Sequence, residues 1–277
     1  MVKKILTIAG SDAGGGAGIQ ADLKTFEEFN LFGISTITGI LSVDPTTNQH
    51  ELFQIPLDVI SNQLTTALSG RDIRVIKTGL LGLPELIDLI VKNIERLPHL
   101  QLVVDPVAAV KSTQNLLQRS LLTRMIKQLF PLATIVTPNL LEAELLANQR
   151  IETIEEMKEA AKIIHELGPK AVVIKGGTRL SGEEALDLLF DGKQFILFHS
   201  PKLSVETNHG AGCSFSAAIA ANLANNNDLI TSVKVAKEFV HAAINEGVYL
   251  NKKTGYVWHG AYRHSLKGGV TYDIISS

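Results

Sequence analysis

The sequence predicts one α/β domain spanning residues 1–277, with a doubly wound, mostly parallel β-sheet between two layers of helices. Short β-rich apolar runs alternate with helical patterns from end to end, which is typical of parallel βαβ construction. The 277 residues, of which 45% are hydrophobic, can bury one large core. No internal repeat or low-complexity linker interrupts the alternation. We therefore expect one large domain rather than several small ones.

The strands are predicted from short apolar segments bounded by turn signals. In chain order they are Lys4–Ala9, Ser35–Leu41, Val75–Lys77, Leu102–Val104, Thr134–Val136, Ala171–Ile174, Leu186–Phe190 and Phe195–His199. Only Asp-Gly-Lys-Gln at 191–194 separates the last two runs, which is a hairpin signal. This hairpin predicts an antiparallel edge on an otherwise parallel sheet.

The helices are predicted from apolar residues at helical spacing. Ile19, Leu23 and Phe26 recur on one face after a glycine-rich loop, and a second amphipathic pattern covers Leu57–Leu68. Later helices are predicted at Glu85–Ile94, Leu116–Leu129, Glu142–Asn148, Ile154–Leu167, Ser214–Ala224 and Ile230–Leu250. The polar segment Val43–Gln54 is predicted to be a loop or flap over a ligand.

Charge and composition exclude several classes of function. The net charge is −2, from 26 Lys+Arg and 28 Asp+Glu, and no basic stretch is present that would bind nucleic acid. No apolar run reaches the roughly 18 residues that a membrane span needs. Cys213 is the only cysteine, so neither an intramolecular disulfide nor a C-x-x-C metal site can form. We expect a cytoplasmic protein without nucleic-acid or membrane partners.

Residues 208–221, Asn-His-Gly-Ala-Gly-Cys-Ser-Phe-Ser-Ala-Ala-Ile-Ala-Ala, predict a phosphate-binding helix start. Gly210 and Gly212 let backbone N–H groups approach an anion, and the Ala-rich helix that follows carries partial positive charge at its N-terminus. The stretch is not a Walker loop, and Phe215 stands where G-x-G-x-x-G requires its last glycine. The alternative is a tight loop before a packed helix.

Cys213 stands at the start of this helix. The helix dipole favours a thiolate there, so Cys213 could act as a base or could orient a nucleophile. The alternative is a small buried residue without a chemical role.

Six motifs, in order along the chain, resemble those of the ribokinase-like vitamin kinases, in the branch that holds hydroxymethylpyrimidine (phosphate) kinases and pyridoxal kinases. They lie at residues 9–26, 76–79, 105–107, 137–143, 174–177 and 210–213. The resemblance implies a ribokinase-like, three-layer fold with its active site along the carboxyl edge of the sheet, where doubly wound folds bind ligands. It also implies transfer of a phosphoryl group from ATP to the hydroxymethyl arm of a vitamin ring, by a homodimer.

By this resemblance, the anion hole for the transferred phosphate consists of Gly210, Ala211, Gly212 and Cys213. Cys213 occupies the position at which sugar kinases of the wider superfamily carry an aspartate base. That difference is typical of the vitamin kinases.

The resemblance also implies a nucleotide side of the site, with ATP contacted by Asn139, Glu142, Lys175, Gly176 and Lys237. Asp105 and Glu142 would hold Mg²⁺, partly through water, and carboxylate oxygens suit that ion. Each has a simpler alternative: Asp105 could cap a strand end, Glu142 could be a first-turn helix acid, and Lys237 could be solvated.

At the acceptor side, the resemblance implies a site lined by Gly10, Asp22, Val43 and Val107. Asp22 would hydrogen-bond the acceptor, or alternatively serve as a first-turn helix acid. Thiamin-pathway relatives commonly carry glutamine at the position of Val43, whereas pyridoxal-phosphorylating relatives carry an apolar residue. Valine cannot offer the amide hydrogen bond, which favours pyridoxal, pyridoxine or pyridoxamine as acceptor.

One departure concerns a lid. Some pyridoxal-active relatives have a second cysteine after the Asp-Pro-Val motif, where this chain reads Ala108-Ala109-Val110-Lys111. Three alternative functions remain open: hydroxymethylpyrimidine (phosphate) kinase, a sugar or nucleoside kinase, and a non-catalytic vitamin-binding protein on the same fold. An aspartate would be expected at 213 in the second case.

Overall fold

The computed structural model describes residues 2–44, 46–47, 49–70, 72–107, 115–251, 254–264 and 269–275, with the backbone alone at 115–118. The strands in this part of the chain are β1 (Lys4–Asp12), β2 (Phe32–Val43), β3 (His50–Gln54), β4 (Val75–Thr78), β5 (Gln101–Val104), β6 (Ile135–Val136), β7 (Val172–Lys175), β8 (Glu184–Phe190), β9 (Phe195–Pro201), β10 (Val248–Asn251), β11 (Thr254–Tyr256) and β12 (Thr271–Ile275). All eight predicted strands are present.

Ten of these strands form one sheet in the order β12-β9-β8-β7-β6-β5-β4-β1-β2-β3. The central strands, from β7 to β2 in that order, are parallel. The predicted hairpin is confirmed as β8–β9, and β12 extends that antiparallel edge. A separate antiparallel ribbon joins β10 to β11.

Helices cover both faces of the sheet, as the sequence predicts. They are α1 (Gly18–Glu28), α2 (Leu57–Ala67), α3 (Pro84–Ile94), α4 (Asn115–Arg124), α5 (Leu140–Ala147), α6 (Ile154–Glu166), α7 (Ala211–Ala224) and α8 (Leu229–Asn245). A π-helical turn at Met125–Leu129 continues α4, with 3₁₀ turns at Phe130–Leu132 and His259–Arg263. Helices α2 to α6 pack on one face, and α1, α7 and α8 pack on the other.

Alternation along the strands creates two separate cores. In β1, Leu6 faces the layer of α2 to α6, whereas its neighbour Ile5 faces α1 and α7. Successive side chains of a strand point to opposite faces, so a strand buried on both faces is apolar throughout. The result is the expected three-layer, doubly wound architecture.

The segment Val43–Gln54 differs from its prediction as a loop. His50–Gln54 forms β3, which pairs antiparallel with β2 and places Val43 opposite His50. Its polar side chains fit an edge strand, because one face of that strand is solvated. The sheet therefore ends in antiparallel strands at both edges.

The last predicted helix is too long. Helix α8 ends at Asn245, two residues before Gly247, where the chain passes so close to Thr207 that only glycine fits. Thr207 Oγ1 also donates to the carbonyl oxygen of Ile244 at 2.6 Å and satisfies the helix end. Strand β10 begins at Val248 instead.

Residues 108–111, where the lid cysteine of some relatives would stand, lie outside the described residues. Among the helices that are described, none combines the length and the apolar character that crossing a membrane requires.

Replacing Phe26 tests the core that supports α1. Phe26 is fully buried against the sheet, so Phe26→Ala should lower the free energy of unfolding by about 3–5 kcal/mol. Urea denaturation measures the change. Phe53 on β3 is 50% exposed, so Phe53→Ala should cost less than about 1 kcal/mol. Equal losses in the two variants would contradict the assignment of Phe26 to the core.

Candidate active site

The site lies where one face of the sheet changes from apolar to polar. On the face that carries α1 and α7, the apolar residues Ile5, Val75, Val103 and Val173 belong to the core. Two residues later, the same four strands present Thr7, Lys77, Asp105 and Lys175. The polar side chains therefore collect near the carboxyl ends of neighbouring parallel strands, beneath the start of α7.

The loop before α7 touches the glycine-rich loop of residues 12–17. Gly210 has a φ of 90°, in the left-handed region, and a Cβ there would overlap the carbonyl oxygen of Gly16. No side chain caps the N-terminus of α7, and although the Ala211 N–H donates to the Asn208 carbonyl oxygen at 3.1 Å, the N–H groups of Gly212 and Cys213 are available to an anion. A Cβ built at Gly212 would lie 3.5 Å from Lys175 Nζ, so that ammonium group also faces the loop.

Asp105 is the centre of a buried polar cluster on the nucleotide side. Its Oδ1 lies 2.9 Å from Lys175 Nζ and accepts a hydrogen bond from Thr137, while Oδ2 accepts one from Ser216 on α7. Asp105 is 2% exposed. The salt bridge fixes Lys175 beside residues 210–213, the proposed anion loop. The Ser216 hydrogen bond connects α7 to the end of β5.

Asn139 and Glu142 start α5 with a capping box. The Asn139 side chain accepts from the Glu142 N–H, and Glu142 Oε2 accepts from the Asn139 N–H at 2.8 Å. Burial, with the negative charge of Asp105 nearby, raises the pKa of Glu142 to about 7, although Lys175 opposes the shift. Asp105 and Glu142, the two proposed Mg²⁺ ligands, therefore lie close enough for their charges to interact.

These carboxylates fit a nucleotide-bound Mg²⁺ better than a metal ion held by protein alone. Within the described residues, no group of three or more His, Cys, Asp or Glu side chains could hold a metal. Mg²⁺ is usually bound by one or two carboxylates, water and substrate phosphates. Burial, and to a smaller extent the charge of Asp105, disfavours the carboxylate form of Glu142, and a cation bound beside it would favour that form.

Asp187 connects Lys237 of α8 to Gly176 after β7, at the end of the nucleotide side. Its Oδ2 lies 2.7 Å from Lys237 Nζ, and its Oδ1 accepts from the Gly176 N–H at 3.0 Å. A cavity of about 500 Å³ adjoins this cluster. Six expected residues line it, namely Asn139, Lys175, Gly176, Ala211, Gly212 and Lys237. Lys237 is 5% exposed and paired, so the solvated alternative for this lysine is wrong.

The acceptor side contains three expected residues at strand ends. Gly10 is buried at an irregularity of β1, where the register with β2 shifts. Val43 ends β2 and is partly exposed, and Val107 follows β5 with partial exposure. The carboxyl ends of parallel strands share one edge of the sheet, so these residues border the same region as Asp105.

Asp22, expected to contact the acceptor, is paired within the protein, and its role toward the acceptor stays a prediction. It is fully buried, both of its carboxylate oxygens lie 2.9 Å from Lys77 Nζ, and Thr7 donates to Oδ2 at 2.5 Å. No surface of Asp22 is left for a ligand in this conformation. Its position on α1 places it beneath the site instead of in its wall.

Cys213 also differs from the expectation based on the helix dipole. Burial raises the pKa of its thiol to about 11; Lys77 opposes this shift, and Asp105 and Asp22 add to it. The residue as a whole is partly buried. Desolvation outweighs the helix dipole here, so Cys213 is a neutral thiol at neutral pH.

Sequence reasoning assigned no role to four residues that organise the site: Lys77, Asp12, Asp187 and Ser216. Asp12 accepts from the N–H groups of Gly14, Gly16 and Ala17 and contacts His209 Nε2 at 3.2 Å. Lys77 had a detectable signal, because a lysine two residues after Val75 interrupts a buried strand. Ser216 had none, since a serine inside an Ala-rich helix is ordinary.

The class of protein follows from this arrangement. The ten-stranded sheet lies between two layers of helices, and its polar cluster lies at the carboxyl ends of the strands. This is the ribokinase-like α/β fold, which the similarity to solved structures confirms. A family model described as phosphomethylpyrimidine kinase matches residues 12–258. The chain belongs to that family.

Two kinds of relatives are similar to this chain. The pyridoxine kinase of Bacillus subtilis (strain 168) is 43% identical over 94% of this chain and 97% of its own length. A structure of Staphylococcus aureus pyridoxal kinase in complex with AMP-PCP and pyridoxal has a TM-score of 0.91 at 41% identity, covering 99% of this chain and 100% of that one. The hydroxymethylpyrimidine/phosphomethylpyrimidine kinase of Haemophilus influenzae is 40% identical over 94% of this chain and 98% of its own length.

Gly210→Ala tests the contact between the two glycine loops. The added methyl group would meet the Gly16 carbonyl oxygen, so we expect a lower melting temperature and loss of phosphate-analogue binding, measured by thermal denaturation and calorimetry. Gly182→Ala is the matched control, because Gly182 has a φ of 97° but open space around its Cβ position. If both variants lose the same stability, backbone strain alone accounts for the effect.

The ionisation of Cys213 is testable by alkylation. Because burial raises the pKa of the thiol to about 11, the rate of reaction with iodoacetamide should still be rising at pH 9.5. A thiol activated by the helix dipole would instead reach a plateau near neutral pH. The single cysteine makes the labelled site unambiguous.

Proposed function

We propose that this protein is an ATP-dependent kinase that phosphorylates the 5′-hydroxymethyl group of pyridoxal, and of pyridoxine and pyridoxamine, with pyridoxal 5′-phosphate as the principal product. The observation that carries the proposal is the loop at residues 210–213, whose Ala211 and Gly212 line the cavity of about 500 Å³ and whose Gly210 closely approaches Gly16 of the glycine-rich loop. Relatives named pyridoxine kinase and pyridoxal kinase, similar over nearly the whole chain, support it. Residues 1–277 act as one kinase domain.

On the nucleotide side, ATP occupies the cavity bounded by Asn139, Gly176 and Lys237. Its terminal phosphates point to the N–H groups at the start of α7, where backbone donors and the helix dipole stabilise negative charge. Lys175 adds a fixed positive charge, because Asp105 holds its ammonium group in place. The expected ATP contacts of Glu142 and Lys237 belong to the same proposal.

Asp105 and Glu142 would hold Mg²⁺ together with water and the phosphates of ATP. The ion neutralises charge on the β- and γ-phosphates when bound. Raised proton affinity at Glu142 supports this assignment, since a cation beside it stabilises the carboxylate.

In the transfer step, the acceptor oxygen forms a bond to the γ-phosphorus while the bond to the β–γ bridging oxygen breaks, and ADP leaves. The transition state is loose, so the acceptor hydroxyl loses its proton late and can pass it to a phosphoryl oxygen. Cys213 as a neutral thiol orients the hydroxyl rather than deprotonating it in advance. Positioning and charge stabilisation supply the acceleration.

Hydroxymethylpyrimidine (phosphate) kinase is the alternative function. The family description and the Haemophilus influenzae relative favour it. Val43 favours pyridoxal, because an apolar side chain at the end of β2 leaves the pyrimidine amino group without an amide partner. We also propose that the kinase works in the cytoplasm as a homodimer, without nucleic-acid or membrane partners.

The proposed acceptor is tested by steady-state kinetics with MgATP and pyridoxal, pyridoxine or hydroxymethylpyrimidine. We expect the highest kcat/KM with a vitamin B6 form. In Val43→Gln, the ratio of kcat/KM for hydroxymethylpyrimidine to that for pyridoxal should rise about tenfold, which is the effect of one good hydrogen bond. Val43→Leu is the control that keeps an apolar side chain. A wild-type preference for hydroxymethylpyrimidine would establish the alternative instead.

A further inference from the structure

A second buried lysine–aspartate pair lies on the acceptor side of the site. Lys77 of β4 and Asp22 of α1 are both fully buried, and Lys77 Nζ lies 2.9 Å from each carboxylate oxygen. Thr7 completes the group by donating to Asp22 Oδ2. The pair mirrors Lys175–Asp105 on the nucleotide side, where Nζ and Oδ1 are also 2.9 Å apart.

Cys213 is the third residue of α7, a helix that packs on elements of both pairs. Lys77 Nζ lies close to Gly79, because a Cβ added to that glycine would be 2.9 Å from the ammonium nitrogen. Helix α7 packs on α1, β4 and β5, which carry Asp22, Lys77 and Asp105. The charged groups that act on the thiol are Lys77, Asp105, Asp22 and, from β7, Lys175.

Fold stability alone gives a weak reason for an ion pair at this position. Removing two charges from water is costly, and an apolar pair of similar volume is often as stable or more stable. The same face of the sheet is apolar two residues earlier on each strand, so an apolar continuation was structurally available. A buried pair beside the reacting atoms therefore points to a role in the reaction.

We propose that Lys77 is a positioning residue for the phosphoryl transfer: its ammonium group, held by Asp22, favours negative charge at Cys213 Sγ and at the adjacent acceptor oxygen. The inference rests on the proposed kinase function for its role in catalysis, and on the buried pair for its electrostatic effect. Asp22 then acts through Lys77 and needs no contact with the acceptor.

The two partners have opposite effects on the same thiol. The positive charge of Lys77 lowers the pKa of Cys213, whereas the negative charge of Asp22 raises it. Asp22 also raises the pKa of Lys77 against the effect of burial, so the ammonium form persists at all working pH values.

The test measures Cys213 in Lys77→Met, Asp22→Asn, the double variant and Lys77→Arg. Iodoacetamide alkylation at pH 9 gives the reactivity, and the resonance of ¹³Cβ-labelled cysteine gives the ionised fraction independently of access. Both signals come from one residue, because the chain has a single cysteine. Neither measurement needs kinase activity, so failure of this inference is distinguishable from failure of the proposed function.

Lys77→Met should slow alkylation about three- to tenfold, and Asp22→Asn should accelerate it by a similar factor, as expected for a shift of one pKa unit partly offset by thiolate nucleophilicity. Lys77→Arg should stay close to the wild type. The double variant leaves no unpaired charge and should return near the wild-type rate, so it also serves if Lys77→Met does not fold.

Kinetics supply a second readout. Lys77→Met should lower kcat while the KM for ATP changes less than about twofold, since Lys77 lies on the acceptor side; Lys77→Arg should restore much of the kcat. The proposal is overturned if Lys77→Met and Asp22→Asn move the cysteine signals in the same direction, or if neither moves them. A double variant that departs further from the wild type than both single variants would overturn it too.

Discussion

The arrangement depends on four charges buried beneath the N-terminus of α7. Isolated, each would be expelled to water or neutralised, because the cost of burying an unpaired charge exceeds what one domain can tolerate. Paired as Lys77–Asp22 and Lys175–Asp105, they remain inside and fix the positions of two ammonium groups. The start of α7 and these two ammonium groups are thus in place before any phosphate arrives, so little reorganisation is needed during transfer.

This charge arrangement is possible because the sheet brings distant segments to one edge. Parallel strands end at the same side, so a polar residue two positions after a core residue reaches the same level on several strands. Gly16 and Gly210 approach each other closely, which joins the glycine-rich loop of residues 12–17 to the anion loop of residues 210–213. The contact between Asp12 and His209 adds a second link. An acceptor and a phosphate bound at these loops are therefore positioned by one rigid unit, which is what an in-line transfer requires.

Much of this could be predicted from the sequence. Alternating patterns located the central strands and most helices, since strands buried on both faces and amphipathic helices have strong local signals. The edge strands β3 and β12 were not predicted, because strands at a solvated sheet edge have mixed polarity and resemble loops in sequence. The anion loop was predictable because a glycine pair before an Ala-rich helix has a local physical meaning. The burial of Asp22 against Lys77 and Thr7 could not be predicted, since sequence gives the identity of a side chain but not its depth.

The pKa of Cys213 shows that burial, and not only the position at a helix start, determines how this thiol can react. Read from the sequence, a thiol at a helix start is activated; placed in the fold, the same thiol is desolvated and flanked by Asp105 and Asp22, and its pKa rises to about 11. Two ammonium groups on either side limit that rise without cancelling it. A neutral thiol held in this way can orient the acceptor hydroxyl by a hydrogen bond, while the proton that the hydroxyl loses passes to a phosphoryl oxygen. In the proposed mechanism the buried charges act on the hydroxyl and the phosphate that all candidate substrates share, so the same proposal assigns specificity for the acceptor ring to the strand ends around Gly10, Val43 and Val107.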